Sequence, residues 1–560
     1  MKYFKILIIT FLIFSCSKDS EKELLSSEKS VFSYSIKEKP NLIFSGFSQN
    51  QLQANFDQPL ASKEFTAVFT VSEKASVYIG NELQISGSTI NDFSEPVTYR
   101  IVAEDESQTN FLVNINSFPN QDPMAVVEGD RVYYVQNNTD SAEVELTAAA
   151  STDIEESDLS FEWILDNNIL STDEIANFIL PFGIHDIQLT VTDDQGATDV
   201  ASIQVQIRQL GLRYPVSPMA SVQTINVLNH LSAIAASDQF AFGQEFPLSF
   251  QLNELSYDLN TSDCKDVSGD HPAVFGIDPH YILYRTPAQR QLHIDEAKKA
   301  YENGAIVTFD FHQRSPADKK IYYDEITTET DKSLMYDVVN DLNGAREWYF
   351  SEMDEILDII DNELGFTVTF RLLHEMNGNW FWWGTRTENH SAELYVALYR
   401  MTVDYLNDRT GNILFAWSPN VTLDQSYYPG DDYVDVVGID YYIPSRDQLK
   451  DALIDLTNFA ELHNKVAAFT ETGEQQYHSS NPDFWTDNIL SVIEEGGEEI
   501  KLAWVLAWFN APWDSSQDNL FIPNVQSPQN VKDDFVEFKN SERSLFMEDI
   551  EAMNVYSPIQ

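Results

Sequence analysis

From about residue 240 onward, eight short apolar runs alternate with stretches that read as helices, several of them with apolar residues at helical spacing. This alternation restricts the fold more than any other feature of the chain. The runs are 240–243, 273–278, 305–312, 367–375, 412–419, 435–442, 466–473 and 502–509, and the helix-like stretches include 287–303, 345–364, 391–409, 447–464 and 483–494. Strand-length apolar runs separated by helices make βαβ units and a parallel sheet. Eight of them predict a (β/α)8 barrel over residues 217–560, with any catalytic groups at the C-terminal ends of different strands. At 560 residues the chain is longer than one hydrophobic core requires, so further domains are expected before the barrel.

Two of the runs end in a glutamate. The fourth leads into Arg371-Leu-Leu-His-Glu-Met-Asn-Gly-Asn-Trp-Phe-Trp-Trp-Gly384, and the seventh is Lys465-Val-Ala-Ala-Phe-Thr-Glu-Thr-Gly473. Glu375 and Glu471 therefore both come to the mouth of the predicted barrel. Hydrolysis of a glycosidic bond needs one carboxyl group to protonate the leaving oxygen and a second to attack the anomeric carbon or to activate water. The aromatic residues Trp380, Phe381, Trp382 and Trp383 follow Glu375 almost at once, and their flat faces suit the C–H faces of a pyranose.

The His-Glu-Met-Asn-Gly-x-Trp-Phe-Trp-Trp-Gly string, with the strand-end glutamates on runs four and seven, resembles glycoside hydrolase family 26, whose members are mostly retaining β-mannanases. The resemblance covers residues from about Ser217 to the C-terminus. It implies that Glu375 is the general acid/base and Glu471 the nucleophile. It also implies sugar-binding roles for His312, His374, Trp380, Tyr442 and Trp508: His312 ends the third run, Tyr442 bonds the nucleophile, Trp380 stands on the leaving-group side, and Trp508 floors the subsite of the sugar under attack. Trp417 and Trp504 are expected in the core or just behind the residues that touch the sugar. One departure stands out: members commonly carry Gly-His-Gln after the first strand, where this chain reads Phe242-Gly-Gln-Glu245.

The N-terminal part has its own organisation. Residues 1–15 combine Lys2 and Lys5 with a short apolar stretch, which reads as a signal peptide too short to span a bilayer. Cys16 follows in a context resembling a bacterial lipobox, which implies lipidation of its sulfur. Ser17-Lys-Asp-Ser-Glu-Lys-Glu23 resembles the acidic tract that sends Bacteroidetes lipoproteins to the cell surface. An outer-membrane lipoprotein is thus expected, with residues 16–40 as a tether. Residues 41–118 alternate apolar and polar positions over short runs, which predicts a small β-sandwich. Residues 122–209 resemble a PKD-type immunoglobulin-like domain, with Trp163 in its core. The expected fold is therefore multidomain, with two small all-β sandwich domains before the barrel.

Charge restricts partners. With 34 Lys and Arg against 89 Asp and Glu, the formal charge of −55 repels nucleic-acid phosphates and anionic polysaccharides, so neutral glycans are the natural substrates. With Cys16 acylated, Cys264 has no partner for a disulfide. No His-x-x-x-His or paired Cys-x-x-Cys spacing occurs, so neither metal nor other cofactor is expected. The overall expectation is a monomeric, retaining endo-β-1,4-mannanase acting on mannan, glucomannan or galactomannan. The alternatives are another activity of the same family, such as mixed-linkage β-glucanase or β-1,3-xylanase, or a non-catalytic surface glycan-binding lipoprotein.

Overall fold

The computed structural model describes residues 24–559 apart from 57–61, 118–119, 138, 155–157, 253–259, 443–444, 475–480 and 515–519. The chain forms two units, residues 1–210 and 211–560. The expected signal peptide, Cys16 and the acidic residues after it lie outside the described residues.

In the second unit each of the eight expected runs supplies one barrel strand. These are β1 (Phe240–Glu245), β2 (Val274–Ile277), β3 (Ile306–Asp310), β4 (Val368–Arg371), β5 (Ile413–Trp417), β6 (Val436–Asp440), β7 (Val466–Thr472) and β8 (Trp504–Ala507). Each pairs in parallel with the next, and β1 pairs with both β2 and β8, which closes the ring. Every residue in these strands is buried, which explains why they read as near-continuous apolar runs. Alternate positions nevertheless separate into two clusters. Phe242, Phe275, Phe309, Phe370 and Phe415 join one large core, whereas Ala241, Val274, Ile306, Leu414, Val436 and Leu506 pack in a second core with helix Val222–Ala236. Full burial of each such phenylalanine contributes about 1.5–3 kcal/mol.

The helices start where their caps place them. Thr286 and Gln289 form a capping box ahead of Pro287–Glu302, and Ser445 and Gln448 form another ahead of Arg446–Leu462. Two expected helices are less regular than their patterns. Ala345–Asp358 widens into a π turn over Ile359–Leu364, and Phe484–Leu490 is a π turn that leads into Ser491–Gly496. Between β5 and β6 the chain makes only the short turns Gln425–Tyr427 and Asp431–Tyr433.

The first unit is all β. One five-stranded sheet joins Gln51–Asn55, Gln108–Asn116, Val97–Val102, Ser76–Ile79 and Glu82–Leu83, with a three-stranded sheet of Val31–Ile36, Glu64–Val71 and Ile90–Asp92. The strand Val31–Ile36 corrects the expected tether over 16–40. Its alternation buries Tyr34 and Ile36 in the module core while it pairs with Glu64–Val71, so ordered structure begins before residue 41. The next module pairs a five-stranded sheet, centred on Thr198–Gln209 and Gly183–Thr192, with a three-stranded sheet around Ser141–Thr147. Trp163 is fully buried there and its Nε1 donates to the Asp173 carbonyl at 2.8 Å, a core role as expected.

Candidate active site

Glu471 reaches the barrel mouth through an irregularity in β7. Ala468 pairs with Gly438, Phe469 with Ile439, and then Glu471 rather than Thr470 pairs with Asp440. A second register shift against β8 lies between Phe469 and Thr472. A regular strand would send Thr470 and Glu471 to opposite faces; the extra residue of a bulge re-aims the glutamate. Thr470 itself turns inward, where its hydroxyl donates to Asp440 Oδ1 at 2.7 Å.

Glu471 is 6 % exposed and is gripped from two sides. The Tyr442 hydroxyl donates to its Oε1, and Arg371 Nη2 donates to its Oε2 at 3.1 Å. The same Nη2 donates to Asp440 Oδ2 at 2.8 Å, while Nη1 donates to the Thr470 carbonyl at 3.2 Å. Burial opposes the charge on Arg371, but Asp440 and Glu471 outweigh it and raise the guanidinium above its ordinary value. Burial, reinforced by Glu471, raises Tyr442 well above its ordinary value, so its hydroxyl stays a donor. A carboxylate held by two donors points its lone pairs in a fixed direction, as attack on carbon requires.

Glu375 has a different environment. The backbone leaves the strand after Arg371, with Leu373 at φ +47° and Glu375 at φ +53°, a region that side chains rarely occupy. Several bonds hold it there. The Glu375 N–H donates to the Ser418 carbonyl at 2.8 Å, the Tyr395 hydroxyl to the Leu373 carbonyl at 3.3 Å, and Trp383 Nε1 to the His374 carbonyl at 2.8 Å. The carboxyl accepts from Asn420 Nδ2 at Oε1 and from Trp380 Nε1 at Oε2, each at 2.8 Å. Burial and the Glu471 charge push its pKa up to about 7, against the opposing pull of Asn420, Trp380 and Arg371. One glutamate is thus prepared to carry a proton and the other is held in place by two donors, the division of labour that glycoside hydrolysis needs.

That value has a measurable consequence. Glu375 must be protonated to act as an acid, so activity is expected to fall as pH rises through about 7. Asn420 donates to the ionised carboxylate and so favours it. In Asn420→Ala the basic limb of the pH profile of kcat/KM is therefore expected to move to higher pH. An unmoved limb would separate Asn420 from the titration of Glu375.

The structure places the remaining expected residues as follows. Trp380 is half-buried beside Glu375, and a Cβ on Gly378 would come within 2.4 Å of its ring, so glycine is what lets the indole lie there. Trp382 and Trp383 are fully buried and Phe381 is 3 % exposed. Of the four aromatic residues expected as sugar platforms, only Trp380 presents an accessible face. Trp382 Nε1 donates to the Gln313 carbonyl at 3.0 Å, which satisfies a buried polar group and fixes the ring in the core. Trp417 and Trp504 are buried, as expected. Trp508 follows β8, half-buried, with its ring centroid 5.8 Å from that of His312.

His312 Nδ1 lies 3.0 Å from Asp278 Oδ2 and 3.3 Å from Asp310 Oδ2. Burial alone would discharge the ring, but Asp278 and Asp310 outweigh it and raise its pKa well above the ordinary value. His374 is 1 % exposed, with its ring against that of His312 at 4.7 Å, and burial together with Arg371 keeps it neutral. It backs His312 more than it faces the cleft. Asp310, His312 and His374 offer ligand atoms within 4.8 Å of one another, the arrangement among the described residues that could hold a metal ion. The raised His312 offsets part of the charge of the two aspartates beside it.

Gln244 and Glu245, at the departure from the family pattern, belong to β1 itself rather than to a loop, and are 0 % and 1 % exposed. Glu245 fills space over Gly276, where a Cβ would fall 1.6 Å from its Oε2. Burial and the neighbouring Asp310 raise its pKa well above the ordinary value, so it holds a proton inside the barrel.

Sequence reasoning missed Arg371, Asp440, Asn420, Asp278 and Asp310 as working parts of the site. Arg371, Asp440 and Asp310 each sit in an apolar run, and a charge in such a run must find a buried partner. That signal was available. Asn420 carries none, being one polar residue in a connecting loop.

Comparison with known proteins gives the family. The family model described as Glycosyl hydrolase family 26 matches residues 216–518, more than half of the chain. A mannan endo-1,4-beta-mannosidase from Bacillus subtilis (strain 168) is 28 % identical over 323 residues, covering 54 % of this chain and 83 % of its own. Among solved structures, a family 26 beta-mannanase from Bacteroides ovatus superposes with a TM-score of 0.52 at 28 % identity, covering 60 % of this chain and 98 % of its own. A modular endo-beta-1,4-mannanase from Cellulomonas fimi does so with a TM-score of 0.54 at 28 % identity, covering 62 % and 80 %. With its barrel, its two unlike strand-end glutamates and these relatives, the chain belongs to glycosyl hydrolase family 26 and is a glycosidase.

Proposed function

We propose that this glycosidase is a retaining endo-β-1,4-mannanase acting on mannan, glucomannan or galactomannan. The observation that carries the mechanism is the contrast between the two carboxyl groups: Glu375 raised to about 7 and Glu471 anchored by Arg371 and Tyr442. In the first step the Glu471 carboxylate attacks the anomeric carbon as the glycosidic C–O bond breaks, and the Glu375 proton passes to the departing oxygen. In the second, water gives its proton to the Glu375 carboxylate, bonds to the anomeric carbon and releases Glu471. On this reading Trp508 and Trp380 offer apolar faces to the sugars before and after the bond. The mannan assignment draws its support from the mannanase relatives and from the acidic chain, which favours a neutral polymer.

A reducing-sugar assay on a panel of neutral polysaccharides tests it. Glucomannan, galactomannan and linear mannan are expected to be cut fastest. Faster release from mixed-linkage β-glucan or β-1,3-xylan would move the enzyme to another activity of the family, and no release from any would remove the catalytic reading.

A further inference from the structure

Beyond Trp508 the aromatic surface continues. The rings of Trp508 and Phe509 are 4.9 Å apart, and those of Phe509 and Trp513 are 5.8 Å apart. Trp513 is 59 % exposed, unusual for so large an apolar side chain at the end of a run of aromatic contacts. Its ring meets that of Phe250 nearly at right angles at 4.9 Å, which fixes its orientation. Trp513 and Phe250, together with Arg285 and Tyr281, line a cavity of about 440 Å³. The Arg285 guanidinium lies 4.7 Å from the centre of the Tyr281 ring, and its planar fork is rich in N–H donors.

The walls are tied together. Asn510 Nδ2 donates to Asp263 Oδ2 at 2.8 Å, the Leu252 N–H donates to the same oxygen at 3.1 Å, and the Leu248 N–H donates to Glu296 Oε1 at 2.7 Å. The first two, meeting at Asp263, join the segment after β1 to the segment after β8, and the third joins the segment after β1 to helix Pro287–Glu302. An exposed indole and a guanidinium lining one cavity match a pyranose, which offers a C–H face on one side and hydroxyl acceptors around its rim.

Position decides which end of the chain it takes. Glu375 and Trp380 follow β4, and the departing sugar must lie where the proton is delivered. The pocket is built from segments after β1, β2 and β8, and β8 stands opposite β4 in the eight-membered ring. We propose that Trp513, with Arg285, Tyr281 and Phe250, forms a distal subsite for a neutral hexopyranose of the polymer on the glycone side, beyond the sugar at Trp508. This rests on the mannanase reading and adds to it a residue that sets the preference for long substrates.

The test compares wild type, Trp513→Ala and Trp513→Phe on β-1,4-manno-oligosaccharides from trisaccharide to hexasaccharide, reading kcat/KM and the bond cleaved. For Trp513→Ala the loss is expected to grow with chain length, reaching about tenfold on the hexasaccharide, the scale of one lost aromatic contact. Cleavage is expected to shift toward shorter glycone fragments, and Trp513→Phe to recover most of the loss. Equal loss at every length, or none, would overturn the subsite while leaving the mannanase reading intact. A wild type inactive on the whole series would overturn the mannanase reading itself and the subsite with it.

Discussion

Replacing Glu471 by alanine is expected to lower hydrolysis of β-mannan by about four orders of magnitude, or about 5.5 kcal/mol of transition-state stabilisation. The size follows from the proposed mechanism: the carboxylate anchored by Arg371 and Tyr442 would form the covalent intermediate, and no weaker version of that bond exists. The vacated space is open to a small anion. Azide added to the variant is expected to attack from the face Glu471 occupied and to give an α-glycosyl azide from a β-linked aryl substrate. A variant within tenfold of wild type, or a β-configured azide, would take the nucleophile role away from Glu471.

For Glu375→Ala the loss depends on the leaving group. Deleting a general acid costs about 10²–10⁴-fold when the departing oxygen needs a proton. Polysaccharide hydrolysis is therefore expected to fall by about a thousandfold. A dinitrophenyl glycoside, whose leaving group departs as a stable anion, is expected to glycosylate the enzyme within about tenfold of the wild-type rate. The basic limb near pH 7 is expected to disappear from that first step, because the group that titrates there is gone. Equal losses on both substrates would count against the acid/base assignment of Glu375.

The barrel was legible because burial on both faces leaves a parallel strand few polar positions, so each strand shows as a mostly apolar run between amphipathic helices. The two glutamates were legible because such runs end at the barrel mouth. Other parts were written less locally. The bulge at Thr470, which decides that Glu471 faces the site, depends on pairing with both β6 and β8 and has no mark of its own in Phe-Thr-Glu-Thr. Trp382 and Trp383 look like sugar platforms in the sequence, but carbonyl partners for their indole N–H groups take them into the core. Val31–Ile36 is visible as an alternating strand only once Glu64–Val71 is there to pair with it. The ion pairs of Arg371 join residues far apart in the chain, and only the need of a buried charge for a partner hints at them.

The central claim, that Glu375 and Glu471 cleave β-1,4-mannan by double displacement, is met most directly by NMR of the anomeric proton during the first moments of mannan hydrolysis, before mutarotation. Two displacements at the anomeric carbon restore its configuration, so the newly formed reducing ends are expected to appear as the β anomer and to drift toward equilibrium afterwards. Initial appearance of the α anomer would mean a single displacement by water, and with it the covalent role of Glu471 would fall.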